Sequence, residues 1–143
     1  MMRGPIMSNA NVQHQHLDIN SAHTSKVGFD AAVTILQHWG CKTEAITNIL
    51  RVNRSSYFAY KSGKKAFVLD KDQLTRISYI LNIHAALRQF FTNSENIYGY
   101  MNMVNNNPYF EGRKPLEIIA AGDFGALHEV YHRVDHLRSG GWS

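Results

Sequence analysis

A group of cationic and hydroxyl side chains between positions 54 and 65 is the part of this sequence best suited to chemistry. Arginine binds guanine edges in a bidentate manner, serine contacts bases or phosphates, and lysine contacts phosphates. The pattern therefore predicts a DNA-binding surface, with a solvated three-helix bundle that merely has a basic face as the alternative. The candidate DNA-binding residues are Arg54, Ser55, Ser56, Lys61, Lys64 and Lys65.

The charge distribution points to the same segment. The chain has 143 residues and a formal net charge of +4. Residues 42–65 contain six cations against Glu44, or +5, and the remaining nine cations and ten acids give −1. A positive excess that is confined to one segment is the electrostatic pattern expected of a surface that binds phosphates.

Two short helices joined by a tight turn are predicted to position these side chains. Thr43 is the expected N-cap of the first of them, and Asn53 is the expected N-cap of the second, Arg54 to about Lys61. Tyr57 and Tyr60 lie three residues apart and are expected to face inward. This arrangement is the sequence form of a helix-turn-helix, which presents its second helix to the DNA major groove.

Arg51 stands in the predicted turn, where helix-turn-helix proteins commonly have a glycine with a positive φ angle. A left-handed conformation at an arginine costs about 1 kcal/mol of backbone strain. The sequence therefore predicts either a strained turn or a turn of different shape.

The rest of the chain predicts an all-α protein, with an N-terminal helix-turn-helix bundle followed by a small helical toxin-binding or dimerisation domain. Polar residues 1–25 predict a disordered arm. Periodic apolar residues predict the remaining helices, with a break near Asn82 and a hydrogen-bonded core histidine at His84. The predicted domains are 26–69, 70–138 and a flexible tail, 139–143; the predicted helices outside the helix-turn-helix are Val27–Trp39, Asp70–Thr92, Glu95–Asn106, Leu116–Ala121 and Phe124–Arg138.

The same pattern predicts inward side chains and helix ends. The side chains placed on inward faces include Trp39 as a core anchor, Arg88, Val104 and Phe124. Helices are expected to stop at Gly40 and Gly63, Pro115 is expected in the first turn of a short helix, and Asp123 is expected to cap the last helix.

Three histidines recur at every fourth position of the last predicted helix: His128, His132 and His136. Two such histidines can bind a metal if a third ligand comes from elsewhere. Residues 128–132, His-Glu-Val-Tyr-His, have the HExxH form that is found in zinc sites. No paired cysteines accompany them, and at 100° per residue the histidine column lies well away from the apolar stripe of the helix, on the solvent or partner side. We therefore expect solvated or interface histidines, no metal, no cofactor and no catalytic residue, with a metal hydrolase as the alternative.

Cysteine content and hydropathy bear on the compartment. The lone Cys41 excludes an internal disulfide and fits a reducing cytoplasm. No apolar run approaches the roughly 20 residues that span a bilayer. The N-terminus also lacks the apolar region of a secretory signal. The sequence therefore predicts a cytoplasmic protein that does not contact a membrane.

The last residues read Ser-Gly-Gly-Trp-Ser, with Trp142 at the penultimate position. Two glycines disfavour a helix end, so the sequence displays a large aromatic side chain on a short flexible tail. Such a tryptophan is expected either to fold back on the core or to insert into a pocket of a partner.

Residues 74–142 resemble the toxin-binding domain of the Xre/MbcA/ParS antitoxins. The stretches that carry the resemblance are RISYILNIHAALRQFF, NNNPYFEGRKPLEIIAAGDFGALHEVYHRVDHL and the terminal SGGW. The pattern Asn-Pro-x-Phe-x-Gly-x-x-Pro-Leu-Glu-x-Ile is the most specific of them. An Xre-like helix-turn-helix usually precedes this domain, so the match covers about residues 27–143.

The resemblance implies a function. Such antitoxins are all-helical dimers that neutralise a RES-domain toxin, form higher-order complexes with it and repress their own operon. The toxins consume NAD or transfer ADP-ribose from it, and the antitoxin tail is expected to enter their NAD-binding cleft. The implied toxin-binding residues are Arg138, Gly140, Gly141, Trp142 and Ser143.

The alternative interpretation is a stand-alone helix-turn-helix transcription regulator, whose C-terminal half only dimerises. It would bind operator DNA without any toxin partner.

Overall fold

The computed structural model describes residues 3–138, with side chains from Ser21 onward. Within those residues the secondary structure is helical and contains no strand, so the predicted all-α class is confirmed. The helices are α1 Arg3–His38, α2 Thr43–Leu50, α3 Arg54–Ser62, α4 Lys71–Phe90, α5 Ser94–Gly99, a 3₁₀ turn Tyr100–Asn102, α6 Pro115–Ile119 and α7 Phe124–Arg138.

Helix α1 is longer than the sequence predicts. It begins at Arg3, whereas a disordered arm over residues 1–25 and a helix from Val27 are expected. Gly4 and Pro5 occupy its first turn, where proline is tolerated, and residues 6–27 contain neither glycine nor proline. The buried Ser25 ties the helix to the rest of the fold, because its hydroxyl accepts a hydrogen bond from the Leu69 amide at 3.0 Å.

The C-terminal half of α1 supplies one side of the hydrophobic core. Trp39 is 0% exposed, which confirms its predicted role as a core anchor. Phe29 packs against the rings of Tyr60 and Phe67 at centroid distances of 5.6 and 5.7 Å. The helix stops at Gly40, whose φ angle of 90° ends it as the sequence predicts.

Helix α4 runs through the centre of the molecule and packs against both α1 and α7. Asp70 caps it in a capping box with Gln73. The helix continues through Asn82, so the predicted break there is wrong, and Arg88 is exposed rather than part of the inward stripe. The inward side chains are Arg76, Ile77, Ile80, Ile83, Ala86 and Leu87.

The environment of His84 differs from the predicted hydrogen-bonded state. Its Nδ1 is buried and has no hydrogen-bond partner among the described residues, while its ring stacks on Tyr98 at 5.5 Å. Burial lowers the pKa of His84, and the nearby Arg88 and His38 lower it further. The neutral ring is therefore held by packing against an aromatic neighbour.

The helix predicted over residues 95–106 ends early. Helix α5 stops at Gly99, a 3₁₀ turn follows, and Met103 is already extended with φ −96° and ψ 142°. Asn105 then forms an antiparallel bridge with Arg113. Val104, which the pattern places inward, is exposed as a result. Asparagine side chains compete with helical hydrogen bonds, and here the Asn105 side chain accepts one from the Asn107 amide at 2.9 Å.

Helices α6 and α7 complete the core. Pro115 opens α6, and Asp123 caps α7 by accepting a hydrogen bond from the Ala126 amide at 2.8 Å; both were expected. Phe124 is exposed, contrary to the prediction that it faces inward. The buried side chains of α7 join one continuous core with those of α1 and α4; they are Leu127, Val130, Val134 and Leu137.

Candidate nucleic-acid interface

Helices α2 and α3, with the turn between them, cover the segment predicted as a helix-turn-helix. The turn is short, because α2 ends at Leu50 and α3 begins at Arg54. Asn53 caps α3, as predicted, by accepting a hydrogen bond from the Ser56 amide at 2.8 Å. Thr43 is not the cap of α2: Lys42 occupies that position without a capping hydrogen bond, and Thr43 is the first helical residue.

Arg51 adopts the left-handed conformation, with φ 57° and ψ 47°. The turn therefore keeps the shape that usually requires glycine, and the strain predicted for Arg51 is present. Its backbone is well bonded, because the amide donates to the Asn48 carbonyl and the carbonyl accepts from the Gln73 side chain at 3.0 Å.

The Arg51 guanidinium pairs with Asp70 and Asp72 at the start of α4. The Gln73 amide and Arg51 lower the pKa of Asp70, and the hydrogen bond from Arg51 is the largest cause of the lowered pKa of Asp72. Arg51 is thus one of the six cations of residues 42–65 but is neutralised by two carboxylates. Of the five cations that remain for a phosphate ligand, four lie on α3 and just beyond it, and the fifth, Lys42, precedes α2.

The two faces of α3 are clearly separated. Tyr57 is buried, and Tyr60 stacks on Phe67 at a centroid distance of 3.8 Å, which confirms the predicted inward face. Most of the candidate DNA-binding residues are exposed, whereas Ser56 is half-buried beside the Asn53 cap; the exposed ones are Arg54, Ser55, Lys61, Lys64 and Lys65.

Phe58 lies among these cations and is exposed. The Arg54 guanidinium lies 5.1 Å from the Phe58 ring centroid, and the Lys61 ammonium lies 5.7 Å from the Tyr57 ring. Such contacts hold the cations against the helix surface. A phenylalanine at this place can also contact a thymine methyl group, a role that the cation pattern alone does not reveal.

Beyond α3 the chain turns at Gly63, whose φ angle is 71°, and places Lys64 and Lys65 on the surface. Lys26 of α1 joins this end of the helix. Its ammonium donates to the Tyr60 carbonyl at 3.1 Å and pairs with Asp30 at 3.1 Å. The sequence gives no sign of this contact, because Lys26 and Tyr60 are 34 residues apart.

The motif that carries the family resemblance builds a loop between the 3₁₀ turn and α6. Asn105 is buried and donates to the Tyr100 hydroxyl at 3.0 Å. Phe110 is buried, and Arg113 donates through Nε to the Phe110 carbonyl at 2.9 Å. The Arg113 guanidinium also lies 5.3 Å from the Tyr109 ring. These residues therefore hold the loop in shape.

Of the implied toxin-binding residues, the structure places only Arg138. It is exposed at the end of α7 and pairs with Asp135 at 2.6 Å. Gly140, Gly141, Trp142 and Ser143 lie outside the described residues.

The three histidines of α7 are exposed, as predicted, and form a column in which the first two rings stack and the third is tilted. The His128 and His132 rings are 5.4 Å apart, and the His132 and His136 rings are 5.7 Å apart. Nδ1 of His128 is hydrogen-bonded to the Tyr79 hydroxyl at 2.9 Å. Among the described side chains, no group of three or more histidine, cysteine or acidic residues has a geometry that could hold a metal ion.

Cys41 is half-buried, and burial raises the pKa of its thiol to about 11. The thiol is therefore protonated at neutral pH and is a poor nucleophile.

No family model, no curated protein and no solved structure matches this chain. Within the described part of the chain, none of the helices has the length and apolar character needed to cross a bilayer.

Proposed function

We propose that the protein is a non-enzymatic antitoxin of a type II toxin–antitoxin system, which neutralises a RES-domain toxin and represses its own operon. The observation that carries the DNA-binding part is the exposed cationic face of α3 in a helix-turn-helix whose turn keeps the left-handed geometry at Arg51. The toxin-binding part rests on the resemblance of residues 74–142 to the antitoxin domain.

The DNA-binding part follows from the chemistry of the α3 surface. Arg54 and Ser55 lie at the N-terminal end of the helix, which is the end that contacts base edges in this motif. Lys64 and Lys65 lie beyond its C-terminal end, where they are placed to contact phosphates. A homodimer would place two such helices about 34 Å apart, one turn of DNA.

The toxin-binding part assigns the tail as the inhibitory element. Trp142 would stack where the nicotinamide or adenine ring of NAD binds in the toxin. Helix α7 supports this role, because its buried face anchors the residue from which the tail departs.

Two experiments test the proposal. Co-expression with the product of the adjacent reading frame should yield a stable complex and suppress NAD consumption, and deletion of residues 139–143 should restore that consumption. Full neutralisation by the shortened chain would refute tail insertion. An adjacent gene product that does not bind this protein and does not consume NAD would refute the antitoxin role.

The second candidate is a stand-alone transcription regulator with a C-terminal dimerisation domain. It is favoured by the continuous core and by Arg76, which joins α4 to the helix-turn-helix and to the loop before α7. This alternative predicts that operator binding requires the whole chain and that no toxin partner exists.

A further inference from the structure

An apolar groove of about 330 Å³ lies at the C-terminal end of α4, where α7 also ends. It is far from the DNA-binding face, since the 20 residues of α4 separate it from the Arg51 turn by roughly 30 Å at 1.5 Å per residue. Its apolar walls are formed by Phe90, Phe91, Tyr100, Met103, Val104 and Leu137.

Two consecutive apolar side chains beside this groove are exposed: Met103 at 44% and Val104 at 60%. The backbone holds them there, because Met103 is extended and the next residue, Asn105, is fixed by its bridge to Arg113. Exposed apolar groups next to a groove with aromatic walls are characteristic of a surface that another segment covers.

We propose that Trp142 of the same chain docks in this groove. Leu137 lines the groove and the described chain ends at Arg138, so the tail starts at the groove itself. Four residues lead from Arg138 to Trp142 and reach about 14 Å at roughly 3.5 Å per residue. Gly140 and Gly141 permit the reversal that brings the indole back.

The groove suits a single indole in size and polarity. Its volume is at the lower limit of the range of about 300–1,000 Å³ for small-molecule sites. A docked tryptophan would bury roughly 150–250 Å² of its surface, which the tail would otherwise leave in water. Asn106 and Asn107 at the edge of the groove offer amide oxygens to the indole N–H.

This docking does not depend on the proposed antitoxin function. If that function also holds, the groove stores the tail until a partner captures it, and the partner's apparent affinity is reduced by the docked fraction.

Iodide quenching of tryptophan fluorescence tests the docking on the full chain alone. Trp39 is 0% exposed, so iodide reports on Trp142, and Trp142→Phe supplies the Trp39 baseline. We expect Trp142 to be quenched several-fold less than in a free peptide LRSGGWS. Val104→Asp should raise the quenching of Trp142 to that of the peptide. Val68→Asp is the control, because Val68 is 58% exposed but lies outside the groove, and it should leave the quenching of Trp142 unchanged.

Two results would overturn the proposal. The first is wild-type quenching equal to that of the free peptide. The second is restored shielding when Val104→Asp chains are mixed with chains that lack residues 139–143, because the tail would then occupy the groove of another copy.

Discussion

Gly122 lies directly against the carbonyl group of Asn48, and a Cβ atom at Gly122 would come within 2.7 Å of the Asn48 carbonyl carbon. Gly122 also has a φ angle of 85°. The contact joins the loop before α7 to the second helix of the chain. Arg76 reinforces it, because its Nη1 donates to the carbonyls of Ile49 and Gly122 at 3.1 and 2.7 Å.

Replacement of Gly122 by alanine should lower the free energy of unfolding by about 2–4 kcal/mol, because a strained φ angle and an overlap with backbone act together. Urea denaturation measures the change. Gly125→Ala in α7 is the matched control, since its Cβ would meet its nearest atom, on Asp123, at an ordinary 3.4 Å. An unchanged stability of Gly122→Ala would show that the close approach to Asn48 relaxes without cost.

Arg76 is 6% exposed and bonds two backbone carbonyls and Asp72. We expect Arg76→Met to lower the free energy of unfolding by about 2–4 kcal/mol, because the buried Ile49 carbonyl and the part-buried Gly122 carbonyl lose their donor. Thermal or urea unfolding measures it, with the exposed Arg88→Met as control. A loss no larger than that of the control would mean that water replaces the guanidinium.

Arg51 allows the backbone and side-chain contributions to be separated. Arg51→Gly and Arg51→Ala both remove the pairs with Asp70 and Asp72, but only glycine relieves the left-handed strain. The glycine variant should therefore be more stable than the alanine variant by about 1 kcal/mol in urea denaturation. Equal stabilities would indicate that the turn changes shape when the side chain is removed.

Acid stability should depend on Asp70 and Asp72. Their pKa values are lowered in the folded state, so the stabilisation is present above the unfolded pKa near 4 and is lost as the pH falls through the folded values. Asp70→Asn keeps an acceptor for the α4 cap but does not titrate. Unfolding measured from pH 6 to pH 2 should show a weaker loss of stability for this variant than for the wild type. If the two curves of stability against pH are parallel, Asp70 is not a source of the acid-sensitive stabilisation.

Binding to DNA from upstream of the gene should weaken with salt. Lys65→Ala should reduce the slope of log affinity against log salt by about 1, because one phosphate contact is lost. Fluorescence anisotropy over a salt series measures this, with the exposed Lys114→Ala, in the loop before α6, as control. Equal slopes for the two variants would indicate that the DNA does not contact Lys65 and binds to another surface.

Much of the helical outline follows from the sequence. The Asn53 and Asp123 caps, the stops at Gly40 and Gly63, and Pro115 at the start of α6 are local signals read within one turn of helix, and the structure has all of them. The outward cations of α3 follow from the same short-range periodicity.

Other features depend on residues that are distant in the sequence. The early end of α5 depends on the Asn105–Arg113 bridge, and the burial of Arg76 depends on carbonyls 27 and 46 residues away. The sequence by itself therefore determined most helix caps and stops and the cationic face of α3, because caps and periodicity act over a few residues. The tertiary structure alone decided the Gly122–Asn48 contact, the neutralisation of Arg51 and the exposed groove beside Val104, because packing brings those groups together only after the chain has folded.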